Sequence, residues 1–227
     1  MFNGFTDETF EFFMAIKFNN NRDFFLGNHD WYVRAVRKPC LELAEALSDV
    51  IERMDEDIER RPNKVVSRIN RDIRLSNDKS PYRDYMWLGF KKQGRRNSST
   101  LGVYFDISAD GASYGMGFYD DNKPLMNALR QSIERNAEEF LGLWRGIRDE
   151  FTLHTKAMKR MKIPDTVPEE AREWYNLKGF YVEKELNDFR MLKSTELAEE
   201  LIRGFEKLTP MYKYFYGIAP EEGGEEE

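Results

Sequence analysis

One cysteine, Cys40, and two histidines, His29 and His154, are all that the 227 residues offer to soft metal ligation. A lone thiol closes no intrachain disulfide, and neither a zinc-finger spacing nor a His-rich centre can be built from this set; Asp and Glu are plentiful enough for a carboxylate-only magnesium site, but no spacing selects one, so no metal is assigned. No run approaches the roughly 18 apolar residues of a membrane span, so no membrane partner is expected. Met1 to Phe10 carry Asp7 and Glu8 and no basic segment ahead of an apolar one, which is not the pattern of a signal peptide. With the single cysteine this predicts a reducing, cytoplasmic compartment, where the sequon at Asn97 is a chance match. The P-loop, the Gly-x-Ser-x-Gly elbow and His-Glu-x-x-His are absent too. Gly111, Gly115 and Gly117 follow a turn rather than open a helix, which disfavours a dinucleotide fold. These motifs assign no cofactor.

What is present is a core and a charged surface. Hydrophobic residues make up 41 % and aromatic residues 14 %, enough for one large packed domain, while 33 % of the chain is charged. Five of the last seven residues are Glu, and without them the net charge falls from −6 to −1. We therefore expect a nearly neutral domain over residues 1–218 and a disordered acidic tail over 219–227.

The hydrophobic period changes twice along the chain. Thr6 with Asp7 and Glu8 opens a helix whose apolar stripe is Phe10, Phe13 and Met14, widened by Phe12 and Ile16. Asn19 to Asn21 break it, and a longer helical region is predicted from about Arg22 to Arg60, bent near Pro39. The alternation of Met86, Leu88 and Phe90, and of Leu101, Val103, Phe105 and Ile107, is that of strands. Asp110-Gly111 suits a hairpin turn to a third strand, Ser113 to Tyr119. Gly115 and Gly117 share one face of it, and a helix packed closely there is the expected reason. Helices follow over about Lys123–Asp149, Glu169–Tyr175 and Ser194–Tyr216, with a further strand near Gly179–Lys184. The fold class is therefore α+β: an antiparallel meander packed by helices, in a single domain.

One segment is chemically dense. Arg68 to Arg83 holds five basic residues against two acidic ones, a local +3 in a chain whose remainder is −9. Arg68, Arg71, Arg74 and Lys79 are the cations proposed to hold an anionic group, with Tyr82 adding a hydroxyl. Asp72 and Asp78 can orient the cations, and they are the acid–base candidates if there is chemistry here. A structural network of the same residues, tying the loop to the fold, is the alternative.

The same residues carry a resemblance. Arg68, Arg71, Asp72 and Arg74, followed by Asp78, Lys79 and Tyr82, resemble the Arg-x-x-Arg-Asp-x-Arg and Asp-Lys-x-x-Tyr hallmark of a bacterial family, domain of unknown function 2461. Leu75 stands where the family often has Phe. Asn20 to Phe25, with Asn28 and Tyr32, look like its early Asn-Asn region, with Phe24 in place of Trp. Gly115 to Ile133 are similar to its glycine-rich strand and following helix. The resemblance spans about residues 2–216; its Pro-Lys-Gly element is missing from Met161–Lys178. It implies membership and brings no established activity.

Three functions compete: a protein that binds, and acts on, a small anionic molecule; a nucleotide or nucleic-acid binder using Arg83, Lys91, Lys92, Arg95 and Arg96 as well; and an interaction protein in which the cluster only stabilises the fold. A nearly neutral domain disfavours nucleic acid. Arg95-Arg96 read mainly as a solvated loop, His29 and His154 as satisfied side chains, and Tyr212 to Tyr216 as a helix end packed on the core.

Overall fold

A computed structural model describes residues 1–74, 78–93, 98–158 and 161–219. The chain opens with α1 (Asp7–Phe18), α2 (Arg22–Gly27) and α3 (His29–Tyr32), a π-helical turn over Val33–Arg37, then α4 (Lys38–Ala46), α5 (Ser48–Met54) and α6 (Pro62–Val65). Next come β1 (Tyr85–Lys91), β2 (Gly102–Ser108), β3 (Gly111–Gly117), α7 (Lys123–Ile147), β4 (Thr152–Ala157), α8 (Glu169–Tyr175), β5 (Leu177–Leu186), α9 (Phe189–Leu192) and α10 (Glu196–Ile218). The five strands form one antiparallel sheet in the order β1-β2-β3-β5-β4. This is the α+β class the period changes predict.

Alternation places the core. Met86, Leu88 and Phe90 of β1, Val103, Phe105 and Ile107 of β2, Tyr114 and Met116 of β3, and Phe180 and Val182 of β5 are buried against the helices. Phe205 of α10 meets the rings of Phe90 and Tyr114, and Phe215 stacks on Phe180 at 4.8 Å. Gly204 lets α10 approach closely, since a Cβ there would lie 2.2 Å from the Tyr114 ring. The residues between these positions point to the opposite face of the sheet.

Several expectations are corrected. The helical region after Arg22 ends at Met54 and is broken into pieces: Asn28 interrupts it, the π-turn precedes Pro39, which lacks an amide donor, and Leu47 separates α4 from α5. On α1 the buried stripe is Thr9, Phe12, Phe13 and Ile16, and Met14 is 42 % exposed. The hairpin loop is Ala109-Asp110, and Gly111 begins β3 with φ +144°. Gly115 and Gly117 face no helix. A Cβ at 115 would lie 1.8 Å from the carbonyl oxygen of Val182, and one at 117 would meet Tyr181, so the close neighbour is β5. β4 was not legible because it is an edge strand exposed on most of its length; it carries no alternation and is a strand only by pairing with β5.

Candidate functional site

Residues 66–71 return beside β1 as a strip of extended chain. Ser67 N–H donates to the Trp87 carbonyl (2.8 Å), Arg83 N–H to Ile69 (2.8 Å) and Arg71 N–H to Pro81 (2.9 Å). Asn20 completes this strip as a strand would: its amide donates to the Tyr82 carbonyl (2.9 Å) and accepts the Tyr82 N–H (3.0 Å). Asn21 accepts the Phe24 N–H and caps α2. The early Asn-Asn pair therefore has two separate structural duties.

Most of the charge in this strip is spent locally. Arg71 lies 3.1 Å from Asp78 and 3.8 Å from Asp84. Arg74 grips both oxygens of Asp72, at 2.9 and 2.6 Å, out in solvent. Lys79 Nζ donates to the Ile73 carbonyl. Tyr82 belongs to the core: it is 6 % exposed, and its ring stacks on Phe25 at 4.2 Å. Two guanidinium groups differ. Arg83 donates through Nη1 alone, to the carbonyls of Arg68 (2.7 Å) and Asn70, and lies 4.6 Å over the Trp87 ring. Its Nε and Nη2 make no hydrogen bond among the described residues, although Asp72 feels its charge. Arg68 is exposed, and its side chain has no partner among the described residues.

The two expected acid–base residues are poorly suited to that role. The Arg74 side chain holds Asp72 down at about 2, and the Ser80 amide holds Asp78 below the usual carboxylate range. A general acid or base works best near neutrality, and neither reaches it.

The carboxyl group that does so lies on the sheet. On the face away from the helices, register sets Trp87, Asp106 and Ser113 side by side across β1, β2 and β3, and Tyr104, Gly115 and Glu183 across β2, β3 and β5. Gly115 has no side chain, so Glu183 and Tyr104 meet above it, and Tyr104 donates its hydroxyl to Glu183 Oε2 (2.9 Å). Ser113 Oγ lies 2.8 Å from the same Oε2 and 2.8 Å from Asp106 Oδ2. A hydroxyl has one proton to give. Ser113 can therefore donate to Asp106 Oδ2 or to Glu183 Oε2 but not to both at once, and the two carboxyl groups share that one donor. Burial pushes Asp106 up to about 6; the Ser113 hydroxyl opposes the rise and the neighbouring Glu183 adds to it. Burial likewise raises the Tyr104 phenol, which stays a donor. His154 stacks on Tyr181 at 4.6 Å and sets Nε2 3.6 Å from Glu183 Oε1. A shallow depression of about 330 Å³ opens over Asp106, Ser113 and Glu183, with Asp110 and Glu185 at its rim.

Sequence reasoning missed this cluster. Its only trace was polar residues at alternate strand positions beside Gly115. Among the described residues no group of three or more His, Cys, Asp and Glu is arranged to hold a metal ion, and no helix is long and apolar enough to cross a membrane. His29 is a half-exposed side chain with its ring edge-on to Phe25. Lys92 is paired with Asp55 and Asp57 and lies over Tyr216. Tyr212 and Phe215 are fully buried, so the end of α10 is core packing. Leu75, Ser76, Asn77, Arg95, Arg96, the Asn97 sequon, Lys159, Arg160 and residues 220–227 of the tail lie outside the described residues.

Fold and site together define a single-domain α+β protein whose five-stranded antiparallel sheet is packed by helices on one face and carries a polar, carboxyl-bearing cluster on the other. Residues 8–214 match the model of the family described as conserved hypothetical protein (DUF2461), and the chain belongs to that family. No curated protein matches it.

Proposed function

We propose that this is a cytoplasmic protein that binds a small anionic molecule on the outer face of its sheet and exchanges a proton with it through Asp106. One juxtaposition carries the reading. An immobilised guanidinium with unspent donors, Arg83 over Trp87, stands one strand from a carboxyl group that shares the Ser113 hydroxyl with Glu183. Arginine in a fixed orientation recognises carboxylate or phosphate oxygens, and an acid that titrates near 6 can both give and take a proton at cellular pH. Arg68, exposed and with no side-chain partner among the described residues, adds a second cation next to it in the strip, its backbone carbonyl accepting from Arg83. The anion site is thus narrower than the sequence reading: Arg68 and Arg83 remain available, while Arg71, Arg74 and Lys79 hold the loop. Nucleic acid is a poorer fit, because its candidate cations Lys92 and Arg71 are already paired.

Carboxyl-carbon NMR titration, together with calorimetry of phosphate and acetate binding, tests the reading. Asp106 should titrate well above an ordinary aspartate, and S113A should move its midpoint. R83M and R68M should each weaken anion binding. An Asp106 that titrates like an exposed aspartate, or anion binding indifferent to both arginines, would overturn it.

A further inference from the structure

The outer face has a polarity that the reading above does not use. At the β1 side stand Arg68 and Arg83, whose guanidinium groups make no ion pair among the described residues, unlike those of Arg71 and Arg74. At the β3–β5 side lies the depression, with Glu183 at its wall and Asp110 and Glu185 at its rim. The acidic end has little cation of its own to neutralise it. Asp110 meets only the exposed Lys17, at 3.5 Å, and the pairing of His154 with Glu183 is an ion pair only when the imidazole is protonated. Between the two ends lie the Trp87 and Tyr104 residues. Strands sit about 4.8 Å apart; Arg83 lies over Trp87 of β1, and Glu183, rooted on β5, reaches over Gly115 to Ser113 of β3, so the two charged groups stand roughly 10 Å apart. A simple anion reaching toward Asp106 would approach the carboxylates at its far end and be repelled. A simple amine would be repelled by the arginines.

We propose that the ligand is a zwitterion: a carboxylate or phosphate held by Arg68 and Arg83, and an ammonium group roughly two strand spacings away, held by Glu183 beside Asp106. This rests on the anion-binding reading above and narrows its ligand class. An ammonium settled against Glu183 brings positive charge to Asp106 and favours its ionised form, so binding at about pH 6 should release a fraction of a proton. A plain anion at the arginine corner stays on the far side of Trp87 and should release little. Charge at both ends also excludes long polyanions, which would meet Glu183, Glu185 and Asp110 after the first phosphate.

Calorimetry with three matched probes, 6-aminohexanoate, hexanoate and hexylamine, tests this, run in two buffers of different ionisation enthalpy so that proton release is read directly. The zwitterion should bind about tenfold or more tightly than either single-charge probe, and at about pH 6 the two probes that carry an ammonium should release protons while hexanoate should not. R68M, whose side chain has no structural partner to lose, and R83M should weaken hexanoate and 6-aminohexanoate. E183Q should weaken 6-aminohexanoate and hexylamine and leave hexanoate unchanged. Hexanoate binding as tightly as 6-aminohexanoate, with both sensitive to the arginines, would overturn the zwitterion and leave the anion site standing. Phosphate and acetate binding that ignores R68M and R83M would remove the anion site itself. Binding of 6-aminohexanoate that ignores E183Q would remove the ammonium position.

Discussion

Replacing Asp106 by Asn turns the proton-sharing geometry into a stability measurement. In the folded protein Asp106 is surrounded by Glu183 and Glu185 of β5, Asp110 of the hairpin, the Tyr104 and Tyr181 hydroxyls, and Ser113; the nearest cation on its strand side, Arg83, is held on the far side of Trp87. Burial raises its carboxyl from 3.8 to about 6. A group whose folded-state value is raised contributes fully below the unfolded value, and that contribution is lost as pH rises through the folded one. The window of loss therefore runs from 3.8 to about 6. The shift corresponds to about 3 kcal/mol at most, and partial exposure of the side chain reduces this to about 1–2 kcal/mol. Asn is uncharged, and its amide oxygen accepts the Ser113 hydroxyl as Asp106 Oδ2 does. Urea denaturation of D106N and the wild type should give nearly equal stabilities at about pH 4, and a mutant about 1–2 kcal/mol more stable at about pH 7.5. A mutant less stable than the wild type at the higher pH would show that Asp106 is a carboxylate made comfortable by its neighbours, and the rise assigned to its carboxyl would be wrong.

Other substitutions separate structure from function. Arg130 is 5 % exposed and donates to the carbonyls of Tyr175 (2.9 Å) and Leu177 and to Asn127 (2.7 Å), closing the end of α8; R130M should cost about 2–4 kcal/mol in denaturant melts, because two buried carbonyls lose their donor. G115A should cost about 3 kcal/mol or more, since its Cβ would lie 1.8 Å from a backbone oxygen that has no rotamer to escape into; a small loss would show that β5 can move off β3. R71M should destabilise by about 1–3 kcal/mol, through stranded Asp78 and Asp84, and should leave phosphate binding unchanged; unchanged stability with lost binding would restore Arg71 to the anion site.

The sequence by itself determined the fold class and most element boundaries, because those rest on local period and punctuation. The apolar alternation of Leu101–Ile107 needs one buried face, and Glu169–Tyr175 is a helix between Pro168 and the following strand, as its composition indicates. It also marked the dense strip at Arg68–Arg83. Composition cannot say which cations find partners within a few residues, however, and three of the five are occupied locally. The long helix after Arg22 was misread because apolar periodicity persists through its breaks, while the hydrogen bonds that end each piece do not show in the pattern. β4 had no signal, since an edge strand exposed to water needs no alternation. Only the tertiary structure decided the carboxyl cluster. Ser113 and Glu183 are 70 positions apart in the chain, and β3 pairs with β5 only after the chain has passed through α7, β4 and α8. Each residue alone is an ordinary polar position on a strand. Antiparallel register, and a glycine with no side chain to keep them apart, set two carboxyl groups against one hydroxyl, and that crowding in a poorly hydrated place is what raises the Asp106 carboxyl.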